Sequence, residues 1–450
     1  MNNMIEIKLG KLCEITSSKR IFASEYVEDG ILFCRSKEII EMANNKKITE
    51  PLYISKERFD EIKNKFGVPQ NGDLLLTSVG TLGVPYVVKE NDCFYFKDGN
   101  LTWMKNFSNK LNSKYLYYWL FSDFGKAPLL ACAIGSSQGA ITIDILNRFK
   151  IACPDRKIQD VIVSVLSRYD ELIEINNKRI KLLEQAAEEL YKEWFVRFRF
   201  PNYQSAEFEN EKPNGWHFGD ESNMKRPKGW EYTKFKKLGL FKRGKNITAS
   251  EMVEGNIPVI SAGIEPSGYH NKPNVYGDSL TISASGANAG LLKYNLKNIW
   301  AADCLYYQDD ELLWYVYNTL KFLQPVITNM QCGAAQPHVY PKNISKLCII
   351  IPPKSLIKKF CNIVTPFYNE IKQLNQKNEI LIKQRDLLLP RLMSGKLSVE
   401  TKKGSVPKVK KIISFDKFCS NIGMAARAKF ISDEDLRAMY EAYIDDDATE

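Results

Sequence analysis

Two stretches of this 450-residue chain repeat one another in outline. From Gly135 the sequence reads G-S-S-Q-G-A-I-T-I-D-I-L-N-R-F-K-I-A-C-P, and from Gly333 it reads G-A-A-Q-P-H-V-Y-P-K-N-I-S-K-L-C-I-I-I-P. Gly, Gln and Pro coincide, as do the apolar positions Leu146/Ile344, Phe149/Leu347 and Ile151/Ile349. Upstream, Ile21, Ala23-Ser24-Glu25, Val27-Glu28 and Ile31 recur as Ile247, Ala249-Ser250-Glu251, Val253-Glu254 and Ile257. The repeating unit is roughly 200 residues, far longer than a solenoid repeat. The chain is therefore expected to hold a whole domain twice, and two similar halves suit a ligand with two sites.

Each copy runs into a long helical pattern. After Arg156, Leu166, Ile173, Ile180, Ala187 and Trp194 fall every seventh residue, with Ile162, Tyr169, Leu183 and Leu190 in the intermediate seam and Asn176 its one polar member. In the second half, Val364, Ile371 and Leu392 share one seam position, and Phe360, Phe367, Leu374, Leu381 and Leu388 the other, with Asn378 and Arg385 as polar exceptions. Such a/d patterns predict coiled-coil helices rather than surface helices. An antiparallel pair has seam partners whose numbers share a constant sum. Placing Asn176 opposite Asn378 as the register pair puts Trp194 on Phe360, Leu190 on Val364, Leu183 on Ile371, Ile180 on Leu374, Ile173 on Leu381 and Leu166 on Leu388, with Tyr169 facing Arg385. Pro390 is expected to end or kink the second helix and Gly395 to cap it, while Phe200-Pro201 breaks the first.

Before each helix, short apolar runs alternate with turn signals such as Asp29-Gly30, Asn71-Gly72-Asp73 and Asp98-Gly99-Asn100. Leu74-Leu75-Leu76-Thr77 and Tyr86-Val87-Val88 read as strands, and the aromatic-rich segment from Lys114 to Ser122 as a short helix. Its Tyr115, Tyr117, Tyr118 and Trp119 are expected in the core. The fold class is α+β: mixed domains at 1–154 and 231–353, coiled-coil helices at 155–198 and 354–398, a polar linker at 199–230 that docks through its tryptophans, and an extension at 399–450 of unknown role. In that extension Lys402, Lys403, Lys408, Lys410 and Lys411 form a basic stretch, and an acidic helix is expected from Ser432.

Hydrophobic residues make up 44% of the chain and charged ones 26%, ordinary for a globular protein. The formal net charge of +10 favours a polyanionic partner. Ten cysteines lie scattered, with no C-x-x-C and none clustered with the three histidines. That argues against a structural zinc site and fits a reducing cytosol. The N-terminus lacks a signal-peptide core, and no apolar run reaches the length of a membrane span. Catalytic signatures are missing as well. The sequence has no phosphate-binding loop, no amino-methyltransferase motif and no glycine-rich nucleotide fingerprint. His217, His270 and His338 stand apart from any nucleophile or repeated carboxylate pattern. The residues point to a binding protein; an autonomous DNA-modifying or DNA-cleaving enzyme with an unfamiliar site, and a coiled-coil scaffold without a nucleic-acid role, are the alternatives.

Several pieces, in this order and twice over, resemble the specificity subunits of type I restriction–modification systems. They are Pro227-x-Gly229-Trp230 followed by Phe235-Lys236-Lys237-Leu238-Gly239, and G-D-L-L-L-T-S-V-G-T-L-G from Gly72. The G-x-x-Q loop with its following strand is a third, and the tail from Leu387 to Leu397 a fourth. The first half lacks the Pro-x-Gly-Trp opening at Met1–Lys8, and the second has a longer glycine turn between Ser283 and Gly290. The resemblance implies two target recognition domains, each reading one half of a split double-stranded DNA sequence. It implies that two long helices form an antiparallel coiled coil with pseudo-two-fold symmetry, a ruler between them. It implies modification subunits that carry S-adenosylmethionine and flip adenines, and ATP- and Mg²⁺-dependent restriction subunits. The chain itself is then non-catalytic, binds no cofactor or metal of its own, and is cytoplasmic.

DNA readers combine phosphate contacts with base-edge contacts from Arg, Asn, Gln and Ser/Thr. The polar candidates on predicted loops are Ser17, Ser18, Lys19, Arg20, Arg35, Lys37, Thr77 and Ser78 in the first domain. In the second they are Lys242, Arg243, Lys245, Ser283, Ser285 and Asn288. Gln138 and Gln336 recur in both halves, which favours a shared role in holding a loop or touching phosphate over base readout.

Overall fold

The computed structural model describes residues 4–44, 46, 48–133, 139–209, 226–330 and 337–397. Of these, residues up to 175 together with 378–397 form one compact unit, and 176–377 form a second. The extension at 399–450, Trp216 and His217 lie outside the described residues.

The first unit contains β1 (Ile5–Lys8), β2 (Glu14–Thr16), β3 (Tyr26–Val27), β4 (Ile31–Cys34), α1 (Ser36–Ala43), β5 (Leu52–Ile54), α2 (Lys56–Phe66) and β6 (Leu74–Thr77). There follow β7 (Pro85–Val87), β8 (Phe94–Phe96), β9 (Leu101–Lys105), α3 (Ser113–Phe121), α4 (Asp123–Ala131), α5 (Ile143–Arg148) and β10 (Lys150–Cys153). A sheet of order β2-β9-β6-β7 is antiparallel throughout. A second, of order β3-β5-β4-β8, contains one parallel pair, β4 with β8. β1 pairs with β10 alone. The run Leu74-Leu75-Leu76-Thr77 has no polar alternation because both faces of β6 are covered. Leu74 and Leu76 pack with Tyr115, Trp119 and Leu166, while Leu75 packs on the other side with Trp103, Phe96 and Cys34. The aromatic helix is α3, capped by Asn112, whose side chain accepts the N–H groups of Lys114 and Tyr115. Tyr115, Tyr118 and Trp119 are buried, as their type predicts, and Tyr117 is half-buried against the same core.

The second unit repeats this plan. It holds β11 (Phe208–Glu209), β12 (Arg226–Pro227), β13 (Glu231–Lys234), β14 (Lys242–Arg243), β15 (Ile257–Ile260), β16 (Gly268–His270), β17 (Ser279–Ser283) and β18 (Leu292–Asn295). β19 (Trp300–Ala301), β20 (Cys304–Tyr307) and β21 (Cys348–Ile351) complete its strands. Its four-stranded sheet runs β14-β20-β17-β18, strand for strand the order of β2-β9-β6-β7. β15 pairs antiparallel with β16 and parallel with β19, as β4 does with β5 and β8. β13 pairs with β21 as β1 pairs with β10, so the strand forms even where the first half lacks the Pro-x-Gly-Trp opening. The copies differ in their insertions. Nothing among the described residues of the second unit matches α1 and α2, since 261–267 join β15 to β16 and 271–278 join β16 to β17 without a helix.

Of the long helices, α6 covers Arg156–Tyr191; α7 (Leu313–Phe322), α8 (Gln324–Asn329) and α9 (Pro341–Ser345) precede α10, Lys354–Met393. In the second unit Trp194 and Phe360 meet edge to face at 6.1 Å, as the constant-sum register requires. Leu183, Leu190, Val364, Ile371 and Leu374 share that unit's core, with Ile180 against it. In the first unit Leu166 lies in the core and Leu388 packs on it. One expected pair is corrected: Arg385 does not turn to Tyr169. It binds Asp170 at 2.6 Å and sits over the Phe121 ring at 5.5 Å, because Asp170 offers it a charge that Tyr169 cannot. Asn378 is buried and Asn176 half-buried.

The first helix ends ahead of the Phe200-Pro201 break and Gly395 caps the second, as expected, but Pro390 does not stop the second helix. Pro390 lies within α10, which continues to Met393 before Gly395 turns the chain at φ 69. Pro390 forfeits one helical hydrogen bond, but Leu389, Leu392 and Met393 on the same turns are buried in the core, and that packing holds the last turn. α6 stops before Pro201. It passes through a π-helical turn at Lys192–Val196 and leaves the helix at Phe198, φ 57. Trp230 then packs against Phe195, Phe198 and Phe200, so the linker does dock through this tryptophan.

Candidate nucleic-acid interface

In the first unit the candidate residues gather where β2, β6 and β9 end. The Ser17 hydroxyl lies 3.5 Å from the Leu101 carbonyl and 3.5 Å from the Gly99 N–H. Ser18 is half-buried beside it. The Lys19 N–H donates to the Tyr95 hydroxyl at 2.6 Å, while its exposed ammonium lies 4.8 Å over the Phe66 ring. Arg20 pairs with Asp98 at 2.9 Å.

Thr77 and Ser78 do not face solvent. The Thr77 hydroxyl accepts the Val84 N–H at 2.9 Å, and the Ser78 hydroxyl shares a 2.6 Å hydrogen bond with Thr102. Both are buried and fasten the loop between β6 and β7 from inside.

Arg35 and Lys37 are tied to carboxylates. Arg35 precedes α1, and its guanidinium and N–H both donate to Glu38, whose side chain is fully buried. Burial alone would raise the Glu38 pKa. The Arg35 hydrogen bonds outweigh that and hold it below the ordinary carboxylate value. Arg35 thus neutralises a charge inside the fold. Lys37 pairs with Glu50 at 2.8 Å on the surface.

Lys242 and Arg243 are consecutive residues of β14 in the second unit, so their side chains leave opposite faces of the sheet. Arg243 reaches Asp303 at 3.0 Å. Lys245 is exposed, and its backbone carbonyl accepts the Trp300 indole N–H at 2.8 Å. Ser283 is buried and donates to the Ala262 carbonyl at 2.9 Å. Ser285 donates to Asp303. Asn288 is half-buried at the end of a short 3-10 turn, Gly286–Asn288.

Gln138 and Gln336 lie outside the described residues, but the ends of their loops are fixed in the same way. Ala140 bridges to Val79 and His338 bridges to Ser285. The Ile141 N–H donates to the Ser78 carbonyl and the Val339 N–H to the Ala284 carbonyl, both at 3.0 Å. In each unit the fold therefore sets the residues that follow the Gly-x-x-Gln motif beside the loop after the central strand, from which they are roughly 60 residues apart along the chain. The second glycine loop is longer by one residue, since Gly83 closes on Thr77 and Gly290 on Ser283.

Sequence reasoning left out Asp303 and Asp98, the carboxylates that hold Arg243 and Arg20. A partner 60 or 78 residues away gives no local signal. It set His338 aside as isolated, although the mismatch with Ala140 at that loop position was visible. Among the described residues no group of three or more His, Cys, Asp or Glu side chains could hold a metal ion. No helix among them is long and apolar enough to cross a membrane.

A family model described as the type I restriction modification DNA specificity domain matches residues 1–185 and again 227–382. The chain is 28% identical over 357 residues to a type I restriction enzyme specificity subunit of Methanocaldococcus jannaschii, covering 73% of this chain and 78% of that one. It is 31% identical over 202 residues to a putative type I restriction enzyme specificity subunit of Haemophilus influenzae, covering 44% and 49%. In fold it is similar to the crystal structure of a type I restriction–modification S subunit from M. genitalium, with TM-score 0.52, 18% identity, and coverage of 87% of this chain and 96% of that one. The repeated sheet order and the double family match fall on the same two segments. This chain belongs to the type I restriction–modification specificity subunits and carries two target recognition domains.

Proposed function

We propose that this chain is the DNA-reading subunit of a type I restriction–modification complex. Each unit reads one half of a split double-stranded target. The chain presents that DNA to modification subunits, which supply S-adenosylmethionine and methylate the target, and to restriction subunits, which use ATP and Mg²⁺. It catalyses no step itself, binds none of those cofactors, and works in the cytoplasm. The observation that supports this reading most is one frame built twice with different side chains at the same loop corners: Val79 beside Ala140 in one unit, Ser285 beside His338 in the other. Two readers of unlike half-sites need a common scaffold and unlike contact residues. Exposed Lys19, Lys242 and Lys245 are suited to phosphate contacts, which position a protein on DNA without reading its sequence.

The test is sequencing of methylated bases in cells that express the chain with its modification subunit. A methylated motif in two fixed halves separated by an unspecified spacer is expected. Methylation without such a motif rejects the reading, as does methylation or cleavage of DNA by the isolated chain given S-adenosylmethionine and Mg²⁺.

A further inference from the structure

The two units differ most sharply at one corner of the shared sheet. Thr77 and Ser283 are equivalent, because each carbonyl accepts the N–H of the glycine that closes its loop, Gly83 or Gly290, at 2.8 Å. Thr77 lies opposite Leu101 and Ser283 opposite Cys304, which makes Asn100 the counterpart of Asp303. Val79 then matches Ser285, and Ala140 matches His338 through the two bridges. On the neighbouring strand Lys242 lies opposite Tyr306 as Thr16 lies opposite Trp103, so Arg243 matches Ser17. The first unit's corner is Ser17, Asn100, Val79 and Ala140, with no charged side chain. The second unit's is Arg243, Asp303, Ser285 and His338.

These four are organised around a carboxylate. Arg243 donates to one Asp303 oxygen at 3.0 Å, and Ser285 donates to the other. Ser285 bridges to His338, whose ring stacks on Tyr340 with centroids 6.1 Å apart and planes 12° from parallel. The Arg243 side chain remains 46% exposed, and Asp303 engages it through one terminal nitrogen. That one hydrogen bond tethers the guanidinium at the corner, and its exposure leaves further N–H donors available to a ligand. The guanidinium's planar fork fits O6 and N7 of guanine in the major groove, a pattern no other base presents there.

We infer that Arg243 reads a guanine in the second unit's half-site, with Asp303 as its positioning residue. The first unit, with Ser17 in the same place, reads its half-site without this contact. The inference rests on the DNA-reading function proposed above.

The experiment compares methylated motifs, and duplex-binding competition by the assembled complex, for wild type and point variants. Arg243→Gln is expected to leave the first half of the motif intact and to make one position of the second half degenerate, a G·C pair in the wild type. Discrimination at that position falls about 5- to 150-fold. Arg243→Lys keeps a charge for Asp303, and so the local ion pair, but lacks the fork; it is expected to relax the same position. Asp303→Asn weakens discrimination there by less. Lys358→Gln, exposed on α10 and outside the candidate set, leaves the motif unchanged. An intact motif in Arg243→Lys overturns the inference even if Arg243→Gln fails to fold. So does relaxation in the first half or at an A·T position. A wild-type complex that methylates no split motif instead overturns the DNA-reading function, and the two failures are thereby distinguished.

Discussion

Single side chains in this protein divide into those that face solvent and those whose charge is engaged inside. Arg35 is of the second kind. Replacing it with Ala leaves the buried Glu38 carboxylate without its counter-ion, and the expected loss of stability in urea unfolding is about 3 kcal/mol, the lower end for breaking such a pair because Arg35 is itself a third exposed. Glu38 has a lowered pKa in the folded state, so its contribution is fully present above the ordinary carboxylate pKa. That contribution is lost as the pH falls through the lowered folded value. Wild type should therefore lose stability in acid more steeply than Glu38→Gln.

Cys348 behaves differently from the buried thiols. Burial pushes it upward, but hydrogen bonds from Lys234, at 3.0 Å, and Tyr232 outweigh that and bring it below the ordinary thiol value. Burial pushes Cys13 and Cys153 up to about 12. The thiolate is the reactive form. At pH 7 iodoacetamide should alkylate Cys348 faster than exposed Cys93 and Cys132, read by peptide mass spectrometry, and Lys234→Gln should remove the difference. Equal rates at all three would contradict the Lys234 effect.

Among the elements, the long helices depend on packing more than on helix propensity. Trp194 contacts Phe360 and Phe195 edge to face and is almost wholly buried. Trp194→Ala should cost about 3–5 kcal/mol. In a double-mutant cycle with Phe360→Ala the losses should fall short of additivity by about 0.5–1.5 kcal/mol, the value of an aromatic pair beyond its burial. Additive losses would mean that the two rings do not interact. The heptad pattern located both helices, and Phe200-Pro201 and Gly395 marked the regions where they end. Pro390 signalled an end or a kink, yet buried Leu392 and Met393 carry the helix past it to Gly395, and the first helix turns out at Phe198, three residues before Pro201. Whether a helix runs through a proline is decided by what the following turn packs against, which a local pattern does not contain.

For the whole molecule, duplication sets the expectations. Replacing residues 231–353 by the corresponding segment of another family member should change one half of the methylated motif and leave the other. A change in both halves would mean that the units do not read separately. Binding of the assembled complex to DNA should weaken steeply with salt. About six to ten phosphate contacts imply a loss on the order of 10³–10⁵ in affinity between about 50 and 200 mM salt, measured by fluorescence anisotropy. A flat response would exclude phosphate contacts as the main source of affinity.

The sequence by itself determined the duplication, the α+β class, the two heptad helices and the burial of the aromatic helix. These are written in local periodicity and in residues that recur at matched positions, such as Ile151/Ile349 and Leu146/Ile344, all buried. Only the tertiary structure decided which polar residues of the candidate set face outward. Thr77 and Ser78 looked like loop hydroxyls and proved to be interior fasteners. Arg35 and Arg243 looked alike, yet one neutralises a buried carboxylate three residues away and the other is held at the surface by Asp303, 60 residues on. An ion pair depends on distance in space, and in a fold whose sheets join strands far apart along the chain, that distance is set by topology and not by spacing in the sequence.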